Sequence, residues 1–189
     1  MDYYSYSYAA VGNRKGMDSD LYANFREDDI RKNQFNSILM PTGKFYYKGA
    51  EANGFRPFSG PQSNIDSDSH YMRVAEMYLL HAEAAAENGN DAAARSSLKA
   101  VLDLRIGDSS YIDALSGKAL AEEAALQARL ELFAEGQSYF IMKRRRETRT
   151  RGANWLDNAG ESFSHTDERL TYEIPQEEIL FNPNLSEQN

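Results

Sequence analysis

The chain contains no cysteine. Disulfides and thiolate metal sites are therefore excluded, and nothing in its chemistry ties it to an oxidising or a reducing compartment. Histidine is nearly as scarce, with three residues at His70, His81 and His165. No two of these fall one helical turn apart, so neither a transition-metal site nor a metal cofactor is expected, and no other cofactor is implied. No apolar run approaches the roughly 20 residues of a membrane-spanning helix. The first residues, Met1-Asp2-Tyr3-Tyr4-Ser5-Tyr6, have neither a basic nor an apolar stretch, so they do not read as an export signal. Positive charge is in deficit, with 21 basic against 29 acidic residues and a net charge of -8. That balance argues against nucleic acid as the partner.

What is present is aromatic and helix-forming. There are 12 Tyr and 9 Phe beside a single Trp, and hydrophobic residues make up 41% of the chain, enough for a core. Residues 1–70 read as an irregular, loop-rich segment wrapping that core, because turn signals interrupt any sustained period. A short strand is expected over Gly43–Lys48 and a turn or two of helix over Leu21–Ile30.

Residues 71–189 form the expected helical domain. Met72–Asn88 is rich in Ala, Leu, Met and Glu, with Val74, Met77, Tyr78, Ala82 and Ala85 as its apolar face. Gly89 stops this helix, and Asp91 is the expected cap of a second, Ala92–Leu104, which buries Ala94, Leu98, Val101 and Leu102. Together they predict a helical hairpin resembling a tetratricopeptide repeat, with Ala82 and Ala94 at the close crossing and Leu98 between them. An ordinary helical hairpin answers the same pattern. A third helix is expected over Lys118–Ala134, with Leu120, Ala124, Leu126, Leu130 and Phe133 inward. A bend at Gly136, a segment over Gln137–Arg146 and a short helix started by Pro175 follow. The fold class is mainly α: this hairpin plus packed helices with long irregular loops.

Several clusters invite a chemical reading. Glu131 and Glu135 are spaced as a carboxylate pair, but on one helix they lack the opposed cleft of a glycosidase, and no catalytic residue is expected. Lys143-Arg144-Arg145-Arg146, with Arg149 and Arg151, is read as a solvated or salt-bridged helix end. Glu27-Asp28-Asp29 lacks the pattern of a calcium loop and is read as a solvated acidic turn. Trp155, with Asn154 and Asp157, is the leading sugar-binding candidate: an indole face stacks on pyranose C–H groups while amide and carboxylate meet hydroxyls. The competing reading is a Trp that anchors its loop to the core. Tyr46 and Tyr47, with Phe55, form a second aromatic cluster.

Four segments, in order, carry a family resemblance. They are Arg73-x-Ala75-Glu76-x-x-Leu79-x-x-Ala82-Glu83-Ala84, the Asn88-Gly89-Asn90-Asp91 turn whose helix runs to Leu104-Arg105, Glu131-Leu132-x-x-Glu135-Gly136 leading into Lys143-Arg144, and Pro175-x-x-Glu178-Ile179-x-x-Asn182-Pro183. They resemble the SusD/RagB family of outer-membrane nutrient-binding lipoproteins. The resemblance covers Tyr71 onward and implies the C-terminal portion of a longer protein. Gln127, Ala128, Ser138 and Ile141 stand where members often carry charges of both signs, so a salt-bridge network is expected to have been replaced as a unit. The resemblance further implies noncatalytic capture of an oligosaccharide or polysaccharide, occasionally a peptide. The expected partner is a SusC-like TonB-dependent transporter at the cell surface, and the expected membrane contact is a lipid anchor that this chain does not carry. A helical-repeat scaffold that binds protein and no sugar is the alternative.

Overall fold

The computed structural model describes residues 16–35, 37, 39, 72–155, 157–185 and 187. The strand expected at 43–48, the aromatics Tyr46, Tyr47 and Phe55, His70 and the boundary near residue 70 lie outside them. Among the described residues the α-helices are α1 (Ser19–Tyr22), α2 (Val74–Glu87), α3 (Asp91–Leu102), α4 (Gly117–Glu131), α5 (Gln137–Arg145) and α6 (Gln176–Phe181). Strands β1 (Thr148–Thr150) and β2 (Ser162–Ser164) pair antiparallel, with Arg149 opposite Phe163. Three-residue strands are too short to show alternation, which is why this stretch reads as irregular in the sequence. The protein is mainly α-helical, as expected.

Helices α2 and α3 form the hairpin, and α4 packs against α2. The turn between α2 and α3 needs a left-handed residue, supplied by Gly89 at φ 77°. Asn90, rather than Asp91, caps α3: its side-chain oxygen accepts from Ala93 N–H at 3.3 Å. Asp91 instead accepts from Gly117 N–H at 2.9 Å, tying the turn to the start of α4. Ala82, Ala94 and Leu98 are all fully enclosed, so the small-residue crossing is where the periodicity placed it. Each fully buried leucine of this core, among them Leu98, Leu102 and Leu120, contributes roughly 1.5–3 kcal/mol.

The inward face of α2 departs from the expected one. Leu79, Ala82, Glu83 and Ala86 are buried, whereas Val74, Met77 and Tyr78 are exposed by 71, 41 and 43%. Apolar residues occur nearly all round this helix, so periodicity alone admits two stripes. The inward one contains a glutamate. Helix α4 ends at Glu131, three residues short of expectation, because Ala134 and Gly136 take positive φ and turn the chain into α5.

A second apolar cluster, Met17, Leu21, Phe25 and Leu130, joins the early residues to α4. Phe35 meets Phe133 edge-on at 5.3 Å between ring centroids. The helical turns expected over 21–30 appear instead as α1 and a 3-10 turn at Ile30–Gln34.

Candidate functional site

The β1–β2 connection carries Asn154, Trp155 and Asp157. Helix α1 is capped by Asp18, whose carboxylate accepts from Asp20 and Leu21 N–H at 2.9 and 3.1 Å. The same carboxylate accepts from Gly152 N–H at 2.7 Å and Trp155 Nε1–H at 2.6 Å. Burial alone would raise the Asp18 carboxyl, but these four donors outweigh it and hold it below its ordinary value. No Cβ fits at residue 152, because Ser19 Oγ would lie 2.6 Å from it, so glycine is required for this close approach.

Asn154 is committed to the same junction. Its side-chain oxygen accepts from Ser19 N–H at 2.9 Å and its amide donates to the Met17 carbonyl at 2.8 Å. The Arg151 guanidinium lies 4.5 Å from the Trp155 ring centroid and 4.4 Å from that of Phe163. Its Nη1 donates to the Asp157 carbonyl at 3.1 Å. Trp155 is therefore held at its polar edge and near a guanidinium, yet 45% of it is open to solvent. Asp157 is also exposed. The structure thus brings Trp155, Asn154 and Asp157 into one loop. Asp18 and Arg151, which fix that loop, were not foreseen as site residues. An N-cap aspartate signals only its own helix, and its second role depends on residues more than 130 positions away.

The other clusters resolve into ion pairs. Glu131 has a fully buried side chain that contacts Arg31 at 3.3 Å, Arg73 at 2.9 Å and Arg105 at 2.8 Å. Burial raises its carboxyl, but hydrogen bonds and charge, Arg105's first, drive it below the ordinary range. Arg73 also clamps Glu135, at 2.7 and 3.0 Å. Glu131 is thus held ionised, the opposite of what a proton donor to a glycosidic oxygen requires.

Gln127, one of the four positions where a charge is missing, sits as a neutral member of this charge network. Gln127 accepts from Arg31 at 2.6 Å and donates to Glu123 at 2.8 Å. The acidic turn is not simply solvated: Asp29 is buried and grips Arg31 at 2.7 Å. Asp28 accepts from Gly107 N–H at 2.9 Å. His81 Nδ1 lies 2.8 Å from Ser97 Oγ. In the basic run, Arg144 and Arg145 converge on Glu83, each with an Nη1 2.7 Å from it.

The SusD family sequence model matches residues 3–189. A solved structure of a SusD superfamily protein from Bacteroides thetaiotaomicron VPI-5482 superposes with a TM-score of 0.68 at 24% identity, over 91% of this chain. At that identity it speaks for the fold, and the chain spans 40% of the length of that protein. No curated protein matches the sequence. The four sequence segments, the helical hairpin with its packed helices and the family match over nearly all residues agree: the chain belongs to the SusD family.

Proposed function

We propose that the chain is a noncatalytic glycan-binding component of an outer-membrane nutrient-uptake system, working with a SusC-like TonB-dependent transporter at the cell surface. Family membership supports the general nutrient-binding role. The observation that carries the finer reading is Trp155, a large aromatic surface held in place by Asp18 and Arg151 while nearly half exposed. A prepositioned ring loses little freedom when a sugar stacks on it. Asp157 is the neighbouring hydroxyl acceptor, Asn154 holds the loop, and Tyr46 and Tyr47 complete the proposed contacts. Among the described residues no helix is long and apolar enough to cross a membrane. A lipid anchor is the proposed means of attachment. Sugar hydroxyls give back much of their hydrogen-bond gain on desolvation, so the affinity is expected to be micromolar to millimolar.

Affinity gels carrying plant, host and microbial polysaccharides test this reading. Retention of one glycan class, lost in Trp155→Ala but kept in Trp155→Phe with an unchanged melting temperature, supports a stacking platform. Equal retention by Trp155→Ala removes Trp155 from the site. The protein-scaffold alternative is favoured by the exposed Val74, Met77 and Tyr78 on α2. A cooperatively folded chain that retains no glycan favours it, or places the glycan site elsewhere in a longer protein.

A further inference from the structure

The basic run after α5 is only partly consumed by the fold. Arg144 and Arg145 share the single buried carboxylate of Glu83, and Arg145 also reaches Glu147 at 2.7 Å. Lys143 lies 5.6 Å from the Tyr139 ring centroid, and Arg149 pairs with Glu147. Arg146 differs from the rest. It is exposed, and its side chain has no ion-pair partner among the described residues. It also closes α5 in the left-handed conformation, at φ 54° and ψ 41°, where glycine or asparagine is the favoured residue. A strained backbone position given to an unpaired cation raises the question of what that cation serves.

Arg146 lines an open groove of about 620 Å³ between the α2–α3 turn, the start of α4 and the end of α5. Lys118, Arg144 and Arg145 share its walls, and Glu87, 3.6 Å from Arg145, is the one carboxylate among the lining residues. Gly89 and Gly117, both at positive φ, keep its floor free of side chains. Four cations and one carboxylate line the groove, and the carboxylates that pair with Lys118, Arg144 and Arg145 from outside it, Glu122, Glu83 and Glu147, leave Arg146 as its unpaired charge among the described residues. The volume falls within the range of small-ligand sites, and guanidinium groups match the planar or tetrahedral oxygens of carboxylate and sulfate.

We propose that this groove binds an anionic group carried by a saccharide, either a uronate carboxylate or a sulfate ester. Arg146 supplies the uncommitted donors, and Lys118, 88% exposed and held only by the half-exposed Glu122 at 3.4 Å, is the readily released second cation. Arg144 and Arg145, oriented by Glu83, provide a fixed positive wall. The saccharide half of the proposal rests on the glycan-capture reading, and the anion half rests on the groove alone.

The test compares binding of the chain to polygalacturonate, dextran sulfate and neutral dextran, for wild type, Arg146→Gln, Lys118→Gln and the distant control Arg26→Gln. The expected result is binding of polygalacturonate or dextran sulfate, and the preferred polymer identifies the anion. Arg146→Gln and Lys118→Gln should each weaken it about fivefold, as befits an exposed charge, with Arg26→Gln unchanged. An equal loss in Arg26→Gln would mean diffuse charge attraction and overturn the groove. Failure of a folded wild-type chain to bind either polyanion also overturns it. In that case, Trp155-dependent retention of a neutral glycan would leave the capture reading standing.

Discussion

Arg129 and Glu131 stand two residues apart on α4 and live in opposite electrostatic circumstances. Glu131 is surrounded by Arg31, Arg73 and Arg105, each an ion-pair partner, and its burial is compensated. Arg129 feels the charge of Arg149 on β1, with Glu147 and Asp18 as the nearby carboxylates. Among the described residues its Nε finds no hydrogen-bond partner, nor do Nε and Nη1 of Arg149, whose Nη2 meets Glu147. Burial first, and Arg149 second, push Arg129 down to about 10, whereas Arg73, burial notwithstanding, is driven up by Glu135 and Glu131. One carboxylate can satisfy several guanidiniums because each brings donors to its lone pairs. Two guanidiniums with a shared, partly exposed carboxylate leave donors over.

The sharpest way to break this contrast is Glu131→Gln. It removes the charge that Arg31, Arg73 and Arg105 share, leaving the buried Arg31 to Asp29 and Gln127, and the expected loss is about 3–5 kcal/mol in chemical denaturation. A loss under about 1 kcal/mol would show that the hub is not what secures α4.

Acid titration is next. Glu131, Glu83 and Asp18 all have folded values below their unfolded ones. Their contribution is therefore complete above the unfolded carboxylate value of about 4 and lost as pH falls through the folded values. The melting temperature should drop below about pH 4, and Glu131→Gln should flatten that drop. Arg129 behaves with the opposite sign. Its depressed value marks a cost present at neutral pH and relieved only as pH rises through about 10.

At the hairpin, Glu147→Gln should cost about 1 kcal/mol, since its carboxylate is partly exposed and serves Arg145 and Arg149. The smallest effect belongs to Arg129→Met, which removes a poorly matched charge and keeps the packing of its stem. Stability should stay within about 0.5 kcal/mol or rise. A loss of 2 kcal/mol or more would reveal a partner for Arg129 that the contrast leaves out.

Helices were legible in the sequence because a period of 3.6 shows within a dozen residues, as Leu98, Val101 and Leu102 on α3 illustrate. The orientation of α2 was not, since Val74 and Met77 are as apolar as Leu79, and only the partner of Glu83 decides which stripe turns inward. The network around Glu131 was illegible because Arg31 and Arg73 lie 100 and 58 residues away along the chain. In the candidate site, Trp155, Asn154 and Asp157 were found together because they are neighbours in sequence. Asp18, which holds the indole edge, leaves no local trace of that role.

The Asp18 junction also has a kinetic meaning. It joins α1 to the hairpin loop across 134 residues of chain, so it cannot close until the helices between them have brought both ends together. The cost of closing so long a loop predicts that its contacts form late, after the barrier has been crossed. Asp18→Asn should therefore leave the refolding rate nearly unchanged and speed unfolding, measured by stopped-flow in denaturant. The loop bearing Trp155 would then open more often than the helices beneath it, detaching and rejoining as a latch while the core stays folded.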